Sequence, residues 1–353
     1  MLPIFIVDDA RVPARFGLLA SLYANQLALP LWSLRPDFTG DFPDSHQHVA
    51  AAGYCVTSGL YRSDTLQHEV RDVTLLPANE AIIVVAQADV ARIAHLPGQR
   101  LKALSCERTM RLQNGSNTLL QHTLTAPTPG RHALRIALIA REHDQRDSYP
   151  ATLDALYAAA RALALDVDIH FFAPAALSDE LSELDEVHGI LLPGGASMAA
   201  VRGQIAVAHA SRQRNIPTLG LCLGMQSMCT AALQRHPELS QAMLAEVAPQ
   251  AAVHSFIAFA DGRHRCGLLP YPAAEPFNLM HYNHRYRFNP QLLPPLLASG
   301  VQVTAQTDDI IEGIALADHR FWQGVQGHPE LQSRPDAPHP LFTAFLRALV
   351  TPA

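Results

Sequence analysis

Between residues 217 and 226 an apolar run, Pro217 to Leu221, passes directly into Cys222 and then into a helical pattern, with Gly220 and Gly224 two positions to either side of the cysteine. A strand that turns into a helix within one residue needs glycines there, because Cβ atoms would collide as the two elements close on each other. The residue at the tip is then held in a strained turn. Such an elbow confines the chain to α/β folds in which strands deliver reactive groups at their carboxyl ends. Cys222 occupies the tip and the helix N-terminus, where unpaired N–H groups and the helix dipole stabilise a sulfur anion, the nucleophilic form of cysteine.

The same local grammar recurs twice more. Gly189-Ile190-Leu191-Leu192-Pro193-Gly194-Gly195 reads as a buried strand that ends in a glycine pair, and the run Phe321 to Gln326 opens onto Gly327-His328-Pro329-Glu330. A histidine near a thiol can exchange its proton, and a carboxylate two residues on can orient the ring. Cys222, His328 and Glu330 are therefore the candidate catalytic set. The backbone N–H groups of Gly194 and Leu223 are the candidate oxyanion donors. Three strand ends thus point to acyl-transfer chemistry.

With 353 residues the chain has room for a full hydrophobic core and for two domains. Hydrophobic residues make up 48% and charged residues 16%, yet no apolar run approaches the roughly 18 residues of a membrane-spanning helix, so no membrane partner is expected. Leu2 to Val7 is too short for the core of a signal peptide and is followed by Asp8 and Asp9, which places the expected location in the cytoplasm. The cysteines, five in number, show no metal-like spacing, and an odd count argues against a disulfide framework. His46-Gln47-His48, His264 and His281-Tyr282-Asn283-His284 have no Cys or acidic partner at a ligand spacing, so neither a metal nor a cofactor is expected. A net charge of −6 offers no overall attraction to nucleic acid.

Two prolines and a glycine in Thr125-Ala126-Pro127-Thr128-Pro129-Gly130-Arg131 mark a stiff linker, which divides the chain into an N-terminal domain over 1–125, a linker over 126–132 and a second domain over 133–353. Beyond the linker, strands are predicted at Leu134 to Ala140, Val167 to Phe172, Val187 to Leu192 and Pro217 to Leu221. Helices alternate with them, about Ala151 to Leu163, Met198 to Arg212 and from Leu223. Buried strands separated by amphipathic helices imply a mainly parallel open sheet flanked by helices. From His254 the pattern is richer in strands, and a last helix is predicted at Leu341 to Leu349. The first 125 residues read as a smaller α/β or α+β domain, with a strand at Ile4 to Val7, a helix about Val12 to Ala28, a strand-helix pair in Ala81 to Ile93 and a hairpin around Asn114-Gly115. No GxxxxGK[ST] phosphate loop occurs.

With Gly-Leu-Cys-Leu-Gly-Met-Gln, Leu-Pro-Gly-Gly and Gln-Gly-His-Pro-Glu all present, residues 134–351 resemble a class I glutamine amidotransferase domain. Within that family they are most similar to the C-terminal glutaminase domain of CTP synthases, through Asp147-Ser148-Tyr149, His284-Arg285-Tyr286-Arg287-Phe288-Asn289, Ser333-Arg334-Pro335 and His339-Pro340-Leu341-Phe342. The resemblance implies a flavodoxin-like α/β fold. By matched position it implies that Cys222 attacks the glutamine side-chain amide, that His328 is its acid and base, that Glu330 orients the ring, and that Gly194 and Leu223 line the oxyanion hole. Substrate contacts would fall on Gly195, Gln226, Glu246 and Arg285, an acidic group suiting the ammonium of glutamine and a guanidinium its carboxylate.

Departures from the family pattern shape the expectation. The residues before 125 are too few for the family's N-terminal synthase domain, so CTP synthesis by this chain alone is not expected. Glutamine hydrolysis would instead deliver ammonia to an unknown acceptor, in a synthase partner or in the first domain; a homo-oligomer is compatible with the sequence. Ala196-Ser197 stands where the family has an aromatic-glycine pair, and Gly327 makes a smaller lining than an aromatic residue, which leaves room for a bulkier γ-glutamyl amide. Two other readings follow: a γ-glutamyl hydrolase or amidase acting on a small metabolite, and a catalytically idle regulatory module.

Overall fold

The computed structural model describes residues 1–41, 69–106, 109–123, 129–130, 132–195, 199–274 and 277–350. The expectations for His46-Gln47-His48, for Ala196-Ser197 and for most of the linker fall outside them. Contacts divide the chain into two units, Met1–Thr128 with Gln145–Asp154, and Pro129–Asp144 with Ala155–Ala353. The short run Gln145–Asp154, which the sequence pattern had assigned to the second domain, is tied into the first unit by a hydrogen bond from the Ala14 N–H to the Asp147 carbonyl, 2.8 Å.

In the first unit seven strands form one mixed sheet: β1 Ile4–Asp8, β2 Leu31–Leu34, β3 Glu69–Val70, β4 Ile82–Ala86, β5 Gln99–Cys106, β6 Thr109–Asn114 and β7 Asn117–Thr123, in the order β3-β2-β4-β1-β5-β6-β7. The first five of that order run parallel, and β5-β6-β7 is an antiparallel meander whose tip carries Gly115 at φ 58. The meander tip is the hairpin signalled by Asn114-Gly115. Strands β1 and β4 are apolar on both faces because one face packs under Phe16, Leu18, Leu19 and Ala20 and the other under Leu34 and Ile93.

The first helix, α1, covers Leu18–Leu27 and not the longer stretch from Val12. Pro13 and Gly17 are the reason: residues 12–16 form turns, and Gly17 at φ 78 caps the helix in a left-handed conformation. Asp8, at the end of β1, fixes this entry by accepting from the N–H groups of Ala10 and Gly17, both at 2.9 Å.

The second unit contains another seven-stranded sheet, of β8 Leu134–Leu138, β9 Val167–Phe171, β10 Gly189–Leu192, β11 Thr218–Leu221, β16 Val301–Thr307, β17 Ile310–Leu316 and β18 Trp322–Val325, ordered β16-β17-β18-β11-β10-β8-β9. From β18 to β9 every pairing is parallel, whereas β16 and β17 pair antiparallel at one edge. Helices α2 Ala151–Ala162, α3 Ala199–Gln213, α4 Leu223–Leu233, α5 Leu293–Ala298 and α6 Pro340–Val350 accompany it. Two short ladders complete the unit, β12 Phe256–Ala258 with β15 Tyr286–Phe288, and β13 Arg265–Pro270 with β14 Leu279–His284. The fold is therefore a mostly parallel α/β sheet flanked by helices, as the alternation of apolar runs predicted. Every residue of α4 is buried; it sits in a core with Leu192, Val201, Ile205, Ile314 and Trp322. No helix among the described residues is long and apolar enough to cross a membrane.

Burial raises the carboxyl of Asp8 to about 7 against the pull of its two backbone hydrogen bonds. An unfolded aspartate titrates at about 3.9, so between these values the unfolded chain gains by ionising while the folded one does not, and the contribution of Asp8 to stability falls as pH rises through that window. In Asp8→Asn this titration is absent. Urea denaturation of the two proteins is expected to show the advantage of the wild type shrinking from pH 4 to pH 7 and levelling above it.

Candidate active site

The carboxyl ends of three adjacent strands, β10, β11 and β18, form one side of the sheet edge, and each delivers a candidate group. β11 ends at Leu221, and Cys222 follows with φ 47 and ψ −104, a conformation that costs about 1–3 kcal/mol and persists only where the surroundings impose it. Close packing imposes it here. A Cβ on Gly224 would overlap the Leu192 carbonyl of β10, and one on Gly220 would overlap the Met228 sulfur and lie 2.9 Å from the Met225 nitrogen. The position of Cys222 is thus set by helix α4 pressing directly on two strands. The Cys222 N–H donates to the Val325 carbonyl at 2.8 Å, joining the elbow to β18.

β18 continues through Gln326 and Gly327 to His328. The His328 N–H donates to the His281 carbonyl at 2.8 Å, so the turn is anchored on β14. The ring Nδ1 lies 2.9 Å from Glu330 Oε1. Cys222 is 7% exposed, His328 2% and Glu330 0%, so the group is screened from water and its charges act strongly on one another. Burial by itself disfavours the imidazolium, but the charges and hydrogen bonds of Cys222 and Glu330 outweigh it and raise His328 well above the usual histidine range. Because Nδ1 is committed to Glu330, proton exchange with the sulfur falls to Nε2. His281, His284 and His339 lie nearby in sequence or space, and burial pushes all three below the usual range, to about 3, 3 and 4. Charge in the buried cluster therefore concentrates on His328.

Gly194 closes the site from β10. A Cβ there would lie 3.0 Å from His328 Cε1 and 3.5 Å from Cys222 Cβ, which places the glycine against both. The loop is held by Gln204 of α3, whose Nε2 donates to the Pro193 carbonyl at 3.2 Å while its Oε1 accepts from Ser227 of α4 at 3.1 Å. Leu223 is the first residue of α4. Gly195 borders open space, with nothing within 4 Å of where a Cβ would stand.

Gln226, one turn along α4, bonds through its N–H to the Cys222 carbonyl at 3.0 Å, and its Nε2 donates to Gln326 Oε1 at 3.3 Å. Glu246 is raised by burial, and the charge of Arg285 opposes that rise.

Two features were not read from the sequence. Gln326 was taken as the last residue of an apolar run, yet its side chain is buried and its Nε2 lies 3.6 Å from Cys222 Sγ. The polar residue closing an otherwise apolar strand was the available signal. Met280 was also missed, and it corrects the expectation that Gly327 leaves space: a Cβ on Gly327 would overlap Met280 Cγ and approach the His281 carbonyl to 2.9 Å. The thioether fills the volume that a larger side chain at 327 would take.

Among the described residues no group of three His, Cys, Asp or Glu side chains is placed to hold a metal ion. A buried cysteine at a strand-helix elbow beside a histidine-carboxylate pair is the arrangement of an acyl-transfer enzyme with a thiol nucleophile.

The chain belongs to the class-I glutamine amidotransferase family, whose sequence profile matches residues 146–348. Its similarity narrows to CTP synthases: that of Roseiflexus castenholzii (strain DSM 13941 / HLO8) is 34% identical over 240 residues, covering 61% of this chain and 43% of the relative. The CTP synthase of Aquifex aeolicus (strain VF5) is 31% identical over 237 residues, covering 61% and 44%. The chain thus spans less than half the length of the curated relatives it matches. Among solved structures, the glutaminase domain of Trypanosoma brucei CTPS with bound acivicin superposes with a TM-score of 0.56 at 25% identity, covering 62% of this chain and 94% of that one.

Replacing Glu330 by Gln removes one of the two negative groups that hold His328 up. The histidine resonances of the purified protein are expected to show the ring titrating at a lower pH in Glu330→Gln than in the wild type. An unchanged titration would mean that the carboxylate does not act on the ring. The sign is that of a raised histidine: its stabilising charge is fully present below about 6.5 and is lost as pH rises through the folded value, so the variant loses it earlier.

Proposed function

We propose that this chain hydrolyses the side-chain amide of glutamine and releases ammonia for transfer to an acceptor. The Cys222 sulfur attacks the amide carbon, and the developing oxyanion is met by the N–H groups of Gly194 and Leu223. His328 gives its proton to the nitrogen as the carbon–nitrogen bond breaks, leaving a γ-glutamyl thioester and ammonia. Water, deprotonated by the same ring, then attacks the thioester, releasing glutamate and the thiol. Glu330 holds the ring for both proton transfers, and Gln226, Glu246 and Arg285 hold the substrate, with Gly195 beside it.

One observation carries this reading: packing sets the strained turn, but it does not call for a cysteine at its tip beside a buried His328–Glu330 pair. Two others support it. Met280 keeps the pocket beside Gly327 filled, which favours glutamine over a bulkier γ-glutamyl amide. The similar glutaminase domain from Trypanosoma brucei carries acivicin, so that compound is the appropriate probe of this site. The ammonia passes to an acceptor held by residues 1–125 or by a synthase partner, in keeping with the name of the relatives.

Purified protein is expected to form glutamate and ammonia from glutamine, with Cys222→Ala slower by roughly 10³-fold or more. Acivicin should add its mass to the Cys222 peptide of the wild type and leave that of the variant unmodified. Full hydrolysis by Cys222→Ala would sink the proposal.

A further inference from the structure

Gln326 stands between two groups that the reaction uses. Its Nε2 donates to Cys222 Sγ at 3.6 Å, a normal length for a bond to sulfur, and its Oε1 accepts from Gln226 Nε2 at 3.3 Å. The residue is 1% exposed, and its backbone N–H is fixed on the Glu312 carbonyl at 2.9 Å. The carboxamide therefore has neither water to turn to nor backbone freedom with which to withdraw.

We propose that Gln326 is a catalytic residue of this site, which holds the Cys222 sulfur as an anion by donating its side-chain N–H to it and is kept in that orientation by Gln226. The inference rests on the amide-hydrolysis reading above. Orientation is the decisive point, because the oxygen and nitrogen of a carboxamide have opposite effects on an anion. Turned over, Gln326 would aim oxygen lone pairs at the sulfur and repel its anion, and with Gln226 oriented as it is, the Gln326 nitrogen would face the Gln226 nitrogen, donor against donor. With the nitrogen on the sulfur, both contacts are donor to acceptor. A hydrogen bond to an ionised acceptor is roughly twice as strong as a neutral one, and the low polarity of the buried site strengthens it further. The sulfur attacks along a path that leaves this bond in place until the carbon–sulfur bond forms, when the charge moves to the substrate oxygen and the donor is no longer needed.

The test uses the full chain, comparing wild type with Gln326→Met, which removes the donor at similar volume, and with Gln326→Glu, which keeps the shape and reverses the electrostatics. The first readout is the rate of Cys222 alkylation by iodoacetamide, followed at the Cys222 peptide by mass spectrometry from pH 5 to pH 10. In Gln326→Met the rate at pH 7, taken relative to the rate of the same protein at pH 10, is expected to fall about tenfold, and in Gln326→Glu further still. A merely structural role would lower the rate alike at every pH. The second readout is glutamine hydrolysis, where kcat should fall about tenfold while KM stays within about twofold.

Wild-type pH dependence in both variants overturns the assignment, even where the wild type hydrolyses glutamine. If the wild type hydrolyses no glutamine but the alkylation profile still shifts, the glutaminase reading falls and the bond from Gln326 to the sulfur stands. Should Gln326→Met lose its thermal unfolding transition, the isosteric Gln326→Glu decides alone.

Discussion

The approach of helix α4 to the sheet is the constraint on which the rest of the second unit depends. Two absent side chains, at Gly220 and Gly224, let the helix backbone touch β11 and β10, and that contact forces the intervening residue into an otherwise unfavourable backbone conformation. The strain is local, but the forces that hold it are not. Leu192, Met225, Met228 and Trp322 belong to one continuous buried core, so relaxing the turn would require the core to open. The Cys222 sulfur is thus positioned by the buried core of the unit, between a strand and a fully buried helix.

Electrostatics follow from the same burial. An isolated imidazolium would not survive where His328 lies; the group stays charged only because the sulfur and the carboxylate share its enclosure. For the surrounding histidines at 281, 284 and 339 burial is the largest influence, and it drives them neutral. Among these four imidazoles the enclosure selects one to carry a proton, and the selection comes from neighbours supplied by two different strand ends.

Much of this architecture was legible in the sequence, for a physical reason. Strands β10 and β11 are short and buried on both faces, β10 running into Pro193-Gly194 and β11 into the glycine-flanked cysteine, so their positions and their carboxyl ends could be read from short windows, and the elbow is itself a local pattern. Legibility failed where a small residue weakened the period, as in β5, whose inward positions include Ala103 between Lys102 and an outward Leu104, and where turn-formers delayed a helix, as at Pro13 and Gly17. At the site, Cys222, His328, Glu330 and Gly194 were visible because each sits at a strand end with a characteristic neighbour. Gln326 was not. Its contact with the sulfur spans 104 residues of sequence, and its one local signal is a polar side chain at the close of an apolar strand.

The contact between Met280 and Gly327 carries a consequence for how this pocket can change. The two positions lie on different strands or their extensions, yet they divide one volume between them: where one is bare, the other fills. Enlarging residue 327 on its own would strike the thioether and push on the turn that presents His328, and trimming residue 280 on its own would leave a void beside that turn. Trimming Met280 would relieve the first clash but not the approach of a residue-327 Cβ to the His281 carbonyl at 2.9 Å, so the effects of the two substitutions are non-additive. Reshaping this side of the candidate site therefore takes a change at both positions together with a shift of the strand that carries Met280 and His281.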